Sequence, residues 1–410
     1  MFRKISIAIN YINLLSALWL TAGLIYQDFA VFRLAYFIFF LSFVIEIFTD
    51  KKWSNINFDN KKWYYIVLGV FFLLALIDIP FDDSPVYLKH LLEKRLSLLG
   101  FAIVGFFGVN KYYKLNYFLN TIFISTILTT LYILFRGVGI QEFISNPERN
   151  EAFNLMRSKY VNSHMIFNFF LNISLISVWY ILTRSWNRTI WWKRYLYVIG
   201  LTIIFSTLSI SEGRTGFVVG ILLMFSFIFF EIWKRRKVVG IIVALMIPVL
   251  LIGIASQHKR MSVKSVENEP RWFLWQSAVS VIKESPVWGV GISDAQEKFD
   301  LARPKYQTEE YRLRWIDSKI DSHSQYLQTT MEFGIFGLLI LLFLYAYPVF
   351  IAENNRKLFS FFILFLCAYQ SVFDMFITGP FSAIFGILMI LVLSVENNIV
   401  KMPDQESLEE

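Results

Sequence analysis

The chain has 410 residues, of which 56% are hydrophobic, 18% aromatic and only 17% charged, against about 25% charged in an average soluble domain. A mean hydropathy of +0.52 excludes an ordinary soluble enzyme. The net charge of +8 does not imply a nucleic-acid partner, because a membrane protein gathers Lys and Arg in its cytoplasmic loops.

Taken in chain order, the apolar runs approach the length that spans roughly 30 Å of hydrocarbon. Twelve spans are predicted, at residues 5–26, 31–48, 63–79, 88–108, 115–135, 165–183, 195–210, 215–233, 238–255, 333–351, 358–377 and 381–395. The first holds Asn10 and Asn13 and has no small-residue cleavage site, so it reads as a retained span. The fourth opens amphipathically around His90, Glu93 and Arg95, and the seventh is short. The lone Cys367 lies in an apolar run and allows no intrachain disulfide. The fold class is therefore an all-α polytopic membrane protein.

Basic residues set the orientation. With the N-terminus in the cytoplasm, the inner connections hold Arg3 and Lys4; Lys51, Lys52, Lys61 and Lys62; Lys111 and Lys114; Arg184, Arg188, Lys193 and Arg194; the run 234–237; and Arg356 and Lys357. The short outer connections 27–30, 80–87 and 378–380 hold Asp82 and Asp83 but no lysine or arginine, which places both termini inside. The chain then divides into a first bundle (1–255), an outer catalytic segment (256–332), a second bundle (333–400) and a short acidic cytoplasmic tail (401–410).

The outer segment has its own organisation. Pro270 suits a helix start, and 271–283 carries Trp272, Trp275, Val279 and Ile282 at helical spacing. Pro286, Gly289 and Gly291 break that helix, and 294–302 forms a short one. A further helix is predicted from Tyr311 through Trp315 and His323 into the tenth span. This would put His323 and Leu327 on one face, as Arg271 and Trp275 are on theirs.

Three residues draw attention as chemistry. Arg214 stands in the outer turn Ser211-Glu212-Gly213-Arg214-Thr215-Gly216. Its guanidinium matches phosphate oxygens through parallel hydrogen bonds, and the flanking glycines let backbone approach a ligand; a side chain snorkelling to lipid headgroups is the plainer alternative. Arg271 opens a helix against the dipole, so a lipid phosphate, Glu267, Glu269 or a bound diphosphate must hold it there. His323 is suited to accept a proton near neutral pH, with Asp321 or Asp317 to orient it; a solvated surface histidine is the alternative, and His164 and His258 are rivals. No histidine spacing fits zinc. Gly289-x-Gly291 is too short for a dinucleotide fingerprint, Asp82-Asp83 reads as a polar loop, and Gly334-x-x-Gly337 reads as a helix-packing pair.

Together these pieces carry a resemblance. Arg271-x-x-x-Trp275, Pro286-x-x-Gly289-x-Gly291, His323 followed by Tyr326-Leu327, and Glu332-x-Gly334-x-x-Gly337 resemble the O-antigen ligase family in order and spacing, and the Ser211–Gly216 turn is similar to the family's arginine turn. One departure is Ser324, where the family usually has asparagine after the histidine.

The resemblance implies a GT-C-like inner-membrane glycosyltransferase. It would move a glycan from undecaprenyl diphosphate to a lipid A–core sugar at the periplasmic face. His323 would be the base, Arg214 and Arg271 would hold the diphosphate, and Trp275, Asp321, Ser324 and Gln325 would support them, without cofactor or metal. Its partners would be the lipid-linked donor, the acceptor and membrane lipids. Relatives polymerise repeat units or glycosylate proteins, and these remain alternatives. A transporter ranks last, because charge gathers at one outer face rather than at midplane.

Overall fold

The computed structural model describes residues 2–26, 29–54, 56–76, 85–139, 149–161, 163–185, 189–211, 213–239, 241–242, 270–308, 311 and 320–395. Among them there is no β-strand. In chain order the helices are α1 (Phe2–Tyr26), α2 (Phe29–Thr49), α3 (Asn60–Leu73), α4 (Pro85–Phe107), α5 (Leu115–Tyr132), α6 (Arg149–Tyr160), α7 (His164–Ser185), α8 (Trp191–Ile210), α9 (Arg214–Arg235), α10 (Arg271–Ile282), α11 (Ile292–Ala302), α12 (Gln325–Ile351), α13 (Lys357–Phe373) and α14 (Gly379–Leu393).

Seven of these, α1, α2, α5, α7, α8, α9 and α12, are long and apolar enough to cross a membrane, while α13 and α14 are apolar but shorter. Helices satisfy every backbone polar group internally, which lipid demands. This is a multi-pass membrane protein. The predicted first, second, fifth to eighth and tenth spans fall on the seven long helices. The third differs. Asp59 caps α3 by accepting the Lys62 N–H at 2.9 Å, so the helix starts early, and its 14 α-helical residues pass into a 3-10 turn at Leu74–Leu76. The fourth, α4, has 23 residues but carries Glu93, Lys94 and Arg95. The ninth lies largely outside the described residues, as do Asp28, Asp82, Asp83, His258, Glu267, Glu269 and Asp317.

The chain forms two compact units, residues 1–50, 110–257 and 395–410 in one, and 51–109 with 258–394 in the other. In the first, α5, α8 and α9 pack on α7. The apolar span of α7 is 89% buried, against 22–44% for the other spanning helices of the unit, so α7 is its central post. Ser174 of this helix finds a partner inside, its Oγ donating to Thr126 Oγ1 at 2.9 Å.

In the second unit α4 packs between α3 and α14, and α12 packs on α3, α10, α11 and α13. Tyr64 Oη donates to the Leu344 carbonyl at 3.3 Å and Tyr65 Oη to the Met389 carbonyl at 3.2 Å. Interhelical bonds of this kind contribute about 0.6–2 kcal/mol each in a membrane.

One feature of the second unit sets the site's frame. Gly334 interrupts α12 with φ 61° and ψ −157°, and the 286–291 segment lies against that break. Ile335 N–H donates to the Pro286 carbonyl (3.0 Å), Val290 N–H to Met331 (2.8 Å) and Gly291 N–H to Glu332 (3.1 Å). A methyl on Gly334 would fall closer than 3.0 Å to the Val287 carbonyl, and one on Gly289 equally close to that of Glu332. The two glycine motifs are therefore halves of one backbone interlock. This corrects the reading of Gly334-x-x-Gly337 as a helix-packing pair: Gly334 faces a loop, and Gly337 faces Phe333 and Thr329 of its own helix.

Candidate active site

Three elements of the second unit build the site. The first is α10, whose N-cap is Pro270 and whose first residue is Arg271. Leu274, Ala278 and Val281 bury one face of α10 against Ala295 and Phe299 of α11 and Met331 of α12. This fixes where its N-terminus stands. There the Arg271 guanidinium lies over the Phe373 ring, 5.7 Å from its centroid. Trp275, one turn on, lies 6.3 Å from the same ring and meets Trp272 edge-on at 5.2 Å. The Trp275 Nε1 is buried without a hydrogen-bond partner among the described residues.

The second element is the 321–324 turn. The predicted helix through His323 is not what forms, since α12 begins only at Gln325 with Ser324 as N-cap. His323 has φ +46°, a left-handed backbone unusual for a side chain of its size. The cause is local. The Asp321 Oδ1 accepts the His323 N–H at 2.9 Å, the side-chain-to-backbone turn that aspartate favours. The same carboxylate lies 3.5 Å from His323 Nδ1. That nitrogen is buried, yet the side chain is 41% exposed, so the exposure falls on the opposite edge of the ring.

The third element is the connection that follows α13. Gln325 N–H donates to the Asp374 carbonyl at 3.2 Å, and Gln325 Oε1 accepts the Ile377 N–H at 2.8 Å. The Gln325 amide also donates to Thr329 Oγ1 at 2.9 Å, so this side chain is a brace rather than a ligand group. Asp374 is thereby held beside the His323 turn and next in sequence to the ring beneath Arg271. Burial pushes its carboxyl up to about 6; the Met375 N–H, His323 and Arg271 oppose that rise, and Asp321 adds to it. A carboxyl raised to about 6 beside an arginine, a histidine and a second carboxylate is what functional sites assemble.

The sequence reading does not single out Asp374, because the predicted span 358–377 absorbs it. The signal available was an ionisable residue inside an apolar run, which by itself marks a functional candidate.

Arg271, Trp275, Asp321, His323, Ser324 and Gln325 thus belong to one unit, and Arg214 belongs to the other. Arg214 is the first residue of α9, after Gly213 with φ +102°. The turn is held by α7: Ser211 Oγ donates to Asn168 Oδ1 at 2.8 Å, and Asn172 Nδ2 donates to the Gly216 carbonyl at 3.0 Å. A methyl on Gly213 would lie 2.7 Å from Asn168 Nδ2 and 3.1 Å from His164 Cδ2, and one on Gly216 would lie 2.6 Å from Asn168 Cβ. The space beside both glycines is filled by α7. This corrects the expectation that they open the backbone to a ligand: they let the turn sit down on Asn168.

Residues 195–342 match the model of the O-antigen ligase family. This stretch of the chain is similar to an O-antigen ligase domain. It runs from α8 through the interlocked kink of α12 and contains Arg214, Arg271 and His323, whereas Asp374 lies beyond it. A protein of Rickettsia conorii, named as a proposed polysaccharide ligase, is 28% identical over 181 residues, covering 41% of this chain and 42% of that protein. The chain thus spans under half the length of this relative. No solved structure matches.

Proposed function

We propose that the protein transfers a glycan from undecaprenyl diphosphate to a sugar hydroxyl of lipid A–core, with inversion, at the periplasmic face of the inner membrane. The observation that carries this reading is the grouping of Arg271, Asp321, His323 and Asp374 at one end of the second unit. In the proposed step the acceptor oxygen attacks the anomeric carbon as the bond from that carbon to the diphosphate oxygen breaks. The hydroxyl proton passes to His323, and the electron pair leaves with the diphosphate.

Asp321 beside Nδ1 favours the tautomer with the proton there, leaving the Nε2 lone pair on the exposed edge as base. Asp374, when ionised, offsets the charge of the imidazolium that forms. Arg271 supplies a planar fork for the leaving diphosphate, whose charge grows in the transition state, and Phe373 holds that fork from behind. Arg214 is the second proposed diphosphate ligand. Trp275, with its unpartnered indole N–H, offers a donor beside Arg271. Periplasmic orientation follows from the basic residues at the opposite ends of the spans.

The test is deletion of the gene followed by gel analysis of lipopolysaccharide. Loss of the long ladder over a normal core is the expected result. A core bearing a single repeat would instead make the protein a polymerase, and an unchanged ladder would overturn the reading.

A further inference from the structure

A buried polar chain runs through the second unit and ends at the His323 turn. Arg95 of α4 donates from Nη2 to Glu332 Oε2 at 2.6 Å, with side-chain exposures of 2% and 1%. Gln328 Nε2 donates to the other oxygen, Oε1, at 2.9 Å. Gln328 Oε1 faces Ser322 Oγ at 3.3 Å, and the same hydroxyl donates to the Ser324 carbonyl at 3.0 Å. Ser322, Ser324, Gln328, Glu332 and Arg95 are all buried. Glu332 and Gln328 are four apart on α12, so one helix face carries the chain from α4 to the turn.

Such a chain is not an efficient way to hold a fold together. A buried ion pair gains little over well-packed apolar side chains of the same volume. Nor does it serve proton transfer, because no member bonds the imidazole. What it does reach is the backbone on both sides of His323. Ser322 and Ser324 flank that residue, and the Ser322 hydroxyl ties them together across it. His323 itself sits at φ +46°, a conformation that persists only where its surroundings impose it.

We propose that Arg95, Glu332, Gln328 and Ser322 are positioning residues that hold His323 in its left-handed backbone conformation and so aim its ring. Arg95 anchors the chain to α4, where its guanidinium also lies over the Phe333 ring at 5.9 Å from the centroid, beside the Gly334 break. The Gln325 brace holds the other side of the turn against the 374–377 segment. This inference rests on His323 being the base.

The experiment is a double-mutant cycle on the purified full-length protein. Transfer is measured from a polyprenyl-diphosphate-linked glycan to lipid A–core. Gln328→Met cuts the chain at its middle while keeping the ion pair and the side-chain volume. It should lower kcat roughly 10- to 100-fold, the cost of a misplaced catalytic group, with the donor KM and thermal unfolding near wild type. In a His323→Ala background the same change should cost nothing further, because effects transmitted only through one residue do not add. Additive losses, or an unchanged kcat in the single variant, would overturn the proposal.

Replacing the pair together, Arg95→Met with Glu332→Leu, avoids stranding a buried charge and should also lose kcat while staying folded; a folded variant with full kcat counts against the proposal. A readout independent of activity is the ring resonance of His323 in protein labelled at its 4 histidines, assigned by the His323→Ala variant. Gln328→Met should move that resonance and leave the other histidines in place, and an unmoved resonance would refute the positioning role. If His323→Ala keeps full transfer, the functional reading fails on its own, and the resonance still decides whether the chain positions the ring.

Discussion

Replacing Gly334 by Ala should damage the protein more than its small size suggests. The position has φ 61° and ψ −157°, a region essentially reserved for glycine, where another residue costs about 1–3 kcal/mol. The added methyl would also fall closer than 3.0 Å to the Val287 carbonyl. Backbone cannot move aside like a flexible side chain, so overpacking adds about 1–3 kcal/mol. The sum, about 2–6 kcal/mol, is a large part of the 5–15 kcal/mol that holds a typical domain. The interlock also sets the spacing between the Arg271 helix and the His323 turn, so transfer should fall with stability.

Thermal unfolding in detergent is the assay, with Gly379→Ala as control. That glycine also has positive φ (56°) but nothing within 4 Å of the added methyl, so it carries the strain without the collision. Equal melting temperatures for the two variants would refute the interlock as the source of the penalty.

Arg271→Lys keeps the charge but loses the planar fork, so transfer should drop clearly, and Arg271→Ala should drop further; a lysine variant at wild-type rate would exclude a fork-shaped diphosphate contact. Because the folded carboxyl of Asp374 is raised to about 6, the native state keeps that proton to higher pH than the unfolded chain, and the group's contribution to stability declines between about pH 4 and 6. Asp374→Asn should remove that decline, of order 1–3 kcal/mol, and an identical pH dependence of melting in the variant would assign the effect elsewhere. Transfer on purified substrates should survive a strong chelator, since the proposed electrophilic groups are arginines; loss restored by a divalent ion would bring Asp28, Asp82 and Asp83 into the site.

Much of the bundle was legible because a spanning helix announces itself by length and apolarity alone. Its ends were not, since they depend on caps such as Asp59 and on breaks such as Phe373–Asp374. Arg271 and Trp275 were readable as neighbours because Pro270 fixes where α10 starts. The geometry of His323 was not, because helical spacing from Tyr326 and Leu327 extends backward through it. The run Asp321-Ser322-His323-Ser324 is rich in turn formers, and that local signal outweighs the period.

Arg95 and Glu332 illustrate the deeper limit. They are 237 positions apart and form one buried pair, and nothing local to either residue announces the other. Gly289 and Gly334 are the same case: each looks like a separate motif, and each exists to admit the backbone of the other.

The role proposed for His323, taking the acceptor's proton during glycan transfer, is tested by the rate of transfer by purified His323→Ala protein. The assay presents undecaprenyl-diphosphate-linked glycan and lipid A–core, with donor binding measured in parallel. The expected result is a loss of roughly 10²–10⁴-fold, the usual range for a missing general base, with donor binding largely intact and His164→Ala milder. Transfer at the wild-type rate by the His323→Ala protein would contradict it.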